Sequence, residues 1–146
     1  MRVLQFAFDG DPANPHLPRH HEPDSVCYSG THDNDTTLGW WSSLPAAAQQ
    51  TVRTLLGSPL SNMPGDFIDI VWDSPAPLAI VPMQDLLALG SEARTNVPGV
   101  AENNWRWKFR WDQILPDFSA RLHEHLHRAG RLCSADQPLS HQESGR

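Results

Sequence analysis

Apolar runs alternate along this chain with segments of helical periodicity, and polar residues follow each run. Arg2 to Phe8 and Leu78 to Met83 are nearly continuous apolar runs, which is typical of strands buried on both faces. Ser25 to Ser29 predicts a short strand between them. Because strands alternate with helical segments, the pattern indicates parallel βαβ units. The chain is therefore predicted to be an α/β fold with about three strands.

Two helical segments are predicted between the second and third strands. Leu38 to Leu56 is expected to be largely helical, with Pro45 in a first turn and Gly57 as the C-terminal cap. Asp66 to Trp72 is expected to form a further helix with Asp66 as its N-cap. The prolines that follow this segment end it.

The last third of the chain carries weaker signals. Gln84 to Leu89 predicts a short helical turn, and residues 91–108 predict a long irregular segment. The four-residue spacing of Phe118, Leu122 and Leu126 predicts a terminal helix. We expect this helix to end at Gly130 and the polar tail, 133–146, to be disordered. One folded unit over 1–132 is the resulting prediction.

Composition and charge limit the functional classes. The chain has 146 residues, enough for one modest core and too few for two comfortable domains. Its 17 acidic and 11 basic residues give a net charge of −6, which offers no electrostatic footprint for nucleic acid or an anionic membrane. No apolar run approaches the roughly 20 residues that span a bilayer. Nor does the first segment resemble a signal peptide.

The two cysteines bear on the cellular compartment. Cys27 and Cys133 are far apart and lack the spacing of metal ligands. This usage favours a reducing cytoplasm, although a disulfide between the two remains an alternative. The sequence therefore predicts a cytoplasmic protein.

The octapeptide Gly30-Thr31-His32-Asp33-Asn34-Asp35-Thr36-Thr37 is the most informative polar cluster. It places an imidazole, two carboxylates, an amide and three hydroxyls directly after the second predicted strand. Polar side chains at the exit of a buried strand point into a cleft, where they can hold a substrate or a metal. The octapeptide is therefore the first candidate for the functional site.

An ordered series of longer motifs surrounds this cluster. In chain order they are Val3 to Phe8, Asn14 to Pro18, Gly30 to Trp41, Leu78 to Pro82 with Gln84-Asp85, Glu92-Ala93-Arg94 with Asn96, Pro98-Gly99, and Asn104-Trp105. Over about Arg2 to Leu132, this series closely resembles the C-terminal part of the 4-α-glucanotransferases, which are also called amylomaltases or disproportionating enzymes. The resemblance covers nearly the whole chain and depends on several motifs rather than on one pair of residues.

The resemblance implies a fold and an activity. Members of that family are α-amylase-like (β/α)₈ barrels that cut an α-1,4-glucan and pass the glucosyl chain to the 4-hydroxyl of another sugar. A complete barrel needs about 250 residues. This chain is therefore expected to be the C-terminal part of such a barrel, about three β/α units, and to be incomplete on its own. The implied partners are α-1,4-glucans (maltodextrins) and the missing N-terminal half of the barrel, whether on the same or a separate chain, with no cofactor and no metal.

The resemblance also implies roles for single residues. Retaining enzymes need a nucleophile and an acid/base carboxyl about 5–5.5 Å apart, and a third carboxylate grips the hydroxyls of the reacting sugar. By motif match that third carboxylate is Asp33, the catalytic residue of this chain, and His32 binds the same sugar. Asn34 is a substrate-binding candidate that more simply fixes the loop, as Asp35 does, through local backbone bonds.

Residues further along the chain have two interpretations each. Arg94 and Asn96 either contact the acceptor sugar or order the long irregular segment. The same two interpretations apply to Gln84 and Asp85, and Asp85 is a candidate to hold an arginine in place.

The nucleophile and the acid/base of the family lie upstream of the strand that matches Val3 to Phe8. Neither has a counterpart in this chain, so the chain alone is expected to be inactive. Family members often carry a methionine before that strand, and Met1 is therefore expected to be internal to a longer protein. Two departures concern the acceptor side: His16 with Arg19-His20-His21 replaces a more aromatic stretch, and Asn103 stands where a glycine is usual.

Two other functions fit parts of the sequence. His32-Asp33 matches an HD signature, and His16, His20 and His21 could complete a metal site, which together would indicate a metal-dependent phosphohydrolase. Such pairs sit on helices in all-helical domains, whereas this pair follows a predicted strand. The second alternative is non-catalytic: a sugar-binding remnant, or one half of a split enzyme that complements a separately encoded N-terminal half.

Overall fold

A computed structural model describes residues 1–132, and three of its strands form one parallel sheet. The strands are β1 (Arg2–Val3), β2 (Val26–Tyr28) and β3 (Leu78–Ile80), in the order β1-β2-β3. The predicted set of three parallel strands is confirmed. The predicted tail, 133–146, and the second cysteine of the alternative disulfide lie outside the described residues.

All three strands are shorter than the apolar runs predicted. After β1 the chain turns into a 3₁₀ helix at Leu4–Phe6, so only the first two residues of the run are extended. β3 ends at Ile80 because Pro82 lacks an N–H for the sheet and starts the next helix. Apolar character therefore extended beyond the residues that pair as strands.

The prediction that β3 is buried on both faces is wrong. Leu78 is 52% exposed and Ile80 38% exposed. Within residues 1–132, β3 has β2 on one side and no strand on the other, so its apolar side chains lie at an open edge of the sheet. Edge strands with large apolar side chains are open to pairing with another segment.

Helices follow each of the three strands. The α-helices are α1 (Thr37–Ser43), α2 (Ala46–Leu56), α3 (Gly65–Trp72), α4 (Met83–Leu86) and α5 (Phe118–Arg128). Further 3₁₀ helices lie at Pro18–His20, Ser91–Ala93 and Trp111–Gln113. None of the helices within residues 1–132 is both long and apolar enough to cross a membrane.

The segment predicted as one helix, Leu38 to Leu56, is two helices. Leu44 and Pro45 are extended, with ψ angles of 135° and 151°, and they separate α1 from α2. The proline ring excludes helical geometry at the residue before it, which ends α1 at this point. The C-terminal cap at Gly57 is confirmed, with a left-handed φ of 62°.

The N-cap predicted for α3 is also wrong. α3 is capped by Pro64, whose carbonyl accepts from the amides of Phe67 (3.1 Å) and Ile68 (3.0 Å). Asp66 lies in the first turn instead, where its Oδ2 accepts from the Asn62 amide at 2.9 Å. A carboxylate in a first turn is favoured by the helix dipole, so the residue stabilises the helix from a neighbouring position.

The core lies between the sheet and α3. Phe67 and Val71 of α3 pack with Leu4, Leu17 and Cys27, all of them fully buried or nearly so. A second cluster joins Trp41 of α1, Val52 of α2 and Leu60. The core therefore fixes β1 and β2 relative to α3. It thereby also fixes the points at which the polar segments leave these two strands.

Candidate functional site

A cleft of about 610 Å³ opens at the carboxyl ends of the three strands. Gly30 to Thr36 follows β2, Pro82 to Asp85 follows β3, and Arg94 and Thr95 come from the later irregular segment. Because carboxyl ends of parallel strands meet at one edge of a sheet, residues far apart in sequence line this one cleft. The octapeptide therefore lies where the sequence placed it, at a strand exit facing a cavity.

Asp33 is held in this cleft by two residues from the 91–108 segment. Its Oδ1 accepts from Asn96 Nδ2 at 2.6 Å, and its backbone carbonyl accepts from Arg94 Nη2 at 2.7 Å. Arg94 Nε also donates to the carbonyl of Asn96 at 2.8 Å, which joins the two restraining residues. The Asp33 side chain is nevertheless 49% exposed. Asp33 is thus restrained and still reachable from the cleft.

His32 lies beside that carboxylate. Its Nε2 is 3.4 Å from Asp33 Oδ1, and its ring centroid is 5.0 Å from that of Trp105. The imidazole is 56% exposed. An imidazole nitrogen and a carboxylate oxygen therefore face the cleft together, as a donor and an acceptor for neighbouring hydroxyl groups.

The shape of the loop is fixed from within by Asn34 and Asp35. Asn34 Oδ1 accepts from both the amide (2.9 Å) and the hydroxyl (2.8 Å) of Thr31. Asp35 Oδ1 accepts from the Thr36 amide at 2.8 Å. The predicted local backbone bonds of these two residues are confirmed.

Asp35 has a second contact that the sequence did not reveal. Its Oδ2 accepts from Ser91 Oγ at 2.7 Å, which ties the octapeptide to the segment that carries Arg94 and Asn96. Gly39 makes this approach possible, since a Cβ at that position would lie 2.4 Å from Ser91 Oγ. A glycine inside a helical pattern was the only available signal, and it did not identify Ser91 as the neighbour.

Asp85 is buried behind the loop. It is 2% exposed and accepts three bonds of 2.7 Å, from Ser29 Oγ, Thr37 Oγ1 and the Thr37 amide. Burial raises the pKa of its carboxyl group, against the lowering effect of these bonds. Contrary to the expectation that Asp85 holds an arginine, its hydrogen-bond partners within residues 1–132 are two hydroxyls and an amide. Gln84 instead reaches the 91–108 segment, donating to Thr95 Oγ1 at 2.9 Å.

The loop histidines that a metal site would require have structural partners. His16 Nδ1 accepts from the Val3 amide at 2.9 Å, and His21 bonds Ser74 Oγ (2.8 Å) and the His16 carbonyl (2.9 Å) through its two ring nitrogens. His20 Nε2 lies 2.9 Å from the Pro12 carbonyl. Across residues 1–132, no group of three or more His, Cys, Asp or Glu side chains is placed to hold a metal ion. These contacts count against the phosphohydrolase alternative.

Asn103 has a left-handed backbone with φ of 62°. This conformation accounts for the glycine that the resemblance leads one to expect here, because glycine adopts positive φ without steric cost. Asparagine is among the few other residues that tolerate it. Asn104 then bonds back to Val97, whose amide donates to Asn104 Oδ1 at 2.9 Å. The substitution therefore keeps the turn before Trp105.

Comparison with known proteins agrees with this arrangement. A family model described as 4-alpha-glucanotransferase matches residues 1–114. The chain is 44% identical over 137 residues to the chloroplastic/amyloplastic 4-alpha-glucanotransferase DPE1 of Oryza sativa subsp. japonica, covering 90% of this chain and 23% of that protein. It is 42% identical over 130 residues to the 4-alpha-glucanotransferase of Thermus thermophilus, covering 84% and 26%.

A solved structure shows the same fold. An amylomaltase from Streptococcus agalactiae, in complex with acarbose, superposes with a TM-score of 0.81 at 25% identity, over 90% of this chain and 27% of that one. The chain belongs to the 4-alpha-glucanotransferase family. It spans about a quarter of the length of the relatives it matches.

Proposed function

We propose that this chain supplies the sugar-gripping part of a 4-α-glucanotransferase, an enzyme that transfers α-1,4-glucan segments between maltodextrins with retention of configuration. Asp33 is the carboxylate that stabilises the transition state, and His32 binds the same sugar. The family membership and the position of both residues in the cleft support this assignment. The chain contributes neither the nucleophile nor the acid/base.

The observation that carries the proposal is that only one oxygen of the Asp33 carboxylate accepts a hydrogen bond from the described residues. Asn96 binds Oδ1, whereas Oδ2 accepts no hydrogen bond from any residue of the described chain. One oxygen is therefore fixed and the other is free to accept from a sugar hydroxyl. Preorganised acceptors of this kind stabilise a transition state at little reorganisation cost, because they are already in place before the ring distorts.

The other carboxylates of the cleft are already engaged. Asp35 is bonded to Thr36 and Ser91, and Asp85 is buried with three donors. A retaining mechanism needs two further carboxyl groups about 5–5.5 Å apart across the scissile bond. Neither engaged carboxylate can serve without losing the bonds that shape the loop. Their engagement supports the proposal that the bond-breaking pair comes from residues outside this chain.

The remaining predicted site residues support Asp33 rather than replace it. Arg94 and Asn96 hold the Asp33 carbonyl and carboxylate, and Asn34 closes the turn that precedes it. Arg94 and Asn34 also line the cleft, so a direct sugar contact of either residue stays a prediction. The contacts support the interpretation that these side chains order the loop.

The open edge of the sheet is evidence that these three strands form part of a larger barrel. The three parallel strands end in β3, whose Leu78 and Ile80 are exposed, and the matched relatives are about four times as long as the aligned part. We infer that further strands of an α-amylase-like (β/α)₈ barrel cover this edge and that 1–132 forms about three of its β/α units. These strands would come from an N-terminal portion on the same or a separate chain.

The test is maltotriose disproportionation. The purified 146-residue chain should release no glucose and form no longer maltodextrins, because it lacks the pair that forms the covalent intermediate and transfers its glucosyl chain to the acceptor sugar. Products from the chain alone would overturn the proposed division of labour. In the longer enzyme, Asp33→Asn should lower kcat far more than it raises KM, because its contacts strengthen at the transition state. An unchanged kcat would remove Asp33 from the mechanism.

Two alternatives are a sugar-binding remnant and one half of a split enzyme, and the exposed apolar edge of β3 favours the second of them. A complementing half-barrel would add strands there without changing the cleft residues. A titration with maltotriose, monitored through the amide resonances of His32 and Asp33, distinguishes a sugar-binding remnant from a split enzyme when it is combined with an assay of turnover. Binding by the chain without turnover in any complemented form would indicate a sugar-binding remnant, whereas turnover after addition of the N-terminal portion would indicate a split enzyme.

A further inference from the structure

A buried carboxylate outside the sugar-facing surface spans the two ends of the functional loop. Asp85 Oδ2 accepts from Ser29 Oγ and from Thr37 Oγ1, and its Oδ1 accepts from the Thr37 amide, each at 2.7 Å. Ser29 comes directly before Gly30, and Thr37 comes directly after Thr36. One side chain therefore sets the distance between the start and the end of the segment 30–36.

Asp33 lies at the middle of that segment, three residues from either end. Its carboxylate can meet Asn96 Nδ2 at 2.6 Å only if the loop leaves β2 and enters α1 at fixed points. Gly30, at the first of these points, packs closely against Gln5, since a Cβ there would lie 2.8 Å from Gln5 Nε2. The loop is thus clamped at its base and restrained at its tip by different residues.

Burial of the Asp85 carboxylate behind the loop is energetically unfavourable in itself. Its desolvation costs several kcal/mol, and an apolar side chain of similar volume would pack more cheaply. Charge-assisted hydrogen bonds to two hydroxyls and an amide offset that cost and fix three directions at once, which an apolar contact does not. The negative charge of Asp35, in the same loop, also opposes ionisation of Asp85.

We propose that Asp85 is a positioning residue that holds the loop 30–36 in the geometry in which Asp33 meets Asn96. The proposal rests on the proposed function of Asp33 for its relevance to catalysis. The clamp itself is a property of the loop and can be tested without any sugar.

The test compares Asp85→Asn with Asp73→Asn, an exposed aspartate at the end of α3, in the 146-residue chain. In Asp85→Asn, amide hydrogen exchange at Thr37, Gly39 and Trp40 should become faster by roughly tenfold or more, as expected for loss of a bond to a charged group. Amides of Phe67 and Val71 in α3 should change by less than about twofold. Asp73→Asn should leave both sets unchanged.

A second readout reports the position of Asp33 rather than stability. The side-chain amide resonance of Asn96 senses its bond to Asp33 Oδ1, so in Asp85→Asn it should move toward its value in Asp33→Ala. A residue that only stabilised the fold would leave this native-state signal in place. An unmoved Asn96 signal, or an exchange increase shared equally by α3, would overturn the proposal.

Milder variants cover the case in which Asp85→Asn does not fold. Ser29→Ala and Thr37→Val each remove one hydroxyl donor and keep the carboxylate. Each should accelerate exchange at Gly39 and Trp40 by a smaller factor, and an unchanged loop in both would also overturn the clamp. If the loop responds but maltotriose binds neither the chain nor its complemented form, the clamp stands and the proposed function fails.

Discussion

Asn96 Nδ2 donates to Asp33 Oδ1 at 2.6 Å, and the two residues are separated by 63 positions in the chain. The bond joins the irregular segment after α4 to the loop after β2. It fixes one oxygen of an otherwise half-exposed carboxylate. The orientation of Asp33 therefore depends on a residue that does not belong to its own motif.

In the transferase proposed above, removal of this bond should lower the catalytic rate more than the affinity for substrate. Asn96→Ala leaves the Asp33 carboxylate free to rotate, so we expect kcat for maltotriose to fall by roughly tenfold to a hundredfold with a smaller change in KM. Asn104→Ala is a useful control, because Asn104 bonds only to the backbone of Val97 and Val100 among the described residues. Equal effects of both changes on kcat would argue against a specific role for Asn96.

Gly39 should be intolerant of a side chain although it lies inside α1. On an unconstrained helix, glycine to alanine adds stability of about 1 kcal/mol. Here the new Cβ would meet Ser91 Oγ at 2.4 Å and Asp35 Oδ1 at 2.8 Å, so we expect Gly39→Ala to lower the free energy of unfolding by about 1–3 kcal/mol. Urea unfolding measures the change, and Ser42→Ala on the exposed face of α1 is the matched control. A stabilised Gly39→Ala chain would show that the 91–96 segment is not held against α1.

The stability of the chain should fall as the pH drops below about 6.5. Burial, followed by the charge of Arg2, lowers the pKa of His16 from its ordinary value of 6.5, and burial does the same for His21. The unfolded chain therefore binds more protons than the folded chain between the lowered pKa and 6.5, and stability increases with pH through that window. Protonation of His16 Nδ1 would also remove the acceptor of the Val3 amide.

His16→Asn provides the check on this pH dependence. The asparagine Oδ1 can accept from Val3 as Nδ1 does, but it does not titrate. Urea unfolding at about pH 5 and about pH 7.5 should show a smaller difference for the variant than for the original chain. His123→Asn, on the exposed part of α5, serves as the control and should leave the difference as it was.

Asn103→Gly should stabilise the turn before Trp105 slightly. Asn103 has φ of 62°, a conformation that glycine adopts without a steric penalty. We expect a gain of a few tenths of a kcal/mol, reduced by the greater freedom of glycine in the unfolded chain. Asn103→Val should be destabilising at the same position, because a β-branched residue strongly resists positive φ. A Val variant as stable as the Gly variant would show that this backbone conformation is not maintained.

The location of the site could be predicted from sequence, whereas its internal contacts could not. Strand exits and the octapeptide placed His32 and Asp33 at a cleft, because period and polarity are local signals. The bonds of Asp85 to Ser29 and Thr37, and of Asn96 to Asp33, join residues 48 to 63 positions apart. No local pattern encodes such a pair. From the sequence alone, Asp85 and Asn96 could therefore be given only two possible roles, sugar contact or ordering of a loop, and the partners of each residue were not predicted.

The predictions of helix extent and strand burial that were wrong also have specific physical causes. Leu44-Pro45 interrupts a segment whose composition is otherwise helical, since one proline outweighs many favourable residues. The burial predicted for β3 assumed neighbours on both sides, whereas within residues 1–132 β3 pairs only with β2 and its apolar side chains are exposed.

The bond between Asp33 and Asn96 also bears on how the site matures during synthesis. Asp33 leaves the ribosome long before Asn96, and until the later segment is made and folded the carboxylate lacks its restraint. A cut between α4 and Arg94 would leave the octapeptide intact and put Arg94 and Asn96 on a different fragment from Asp33. Limited proteolysis at such a position would thus weaken the restraint on the carboxylate without cleaving the loop that carries it, and only a chain translated past Asn96 can present a fixed carboxylate.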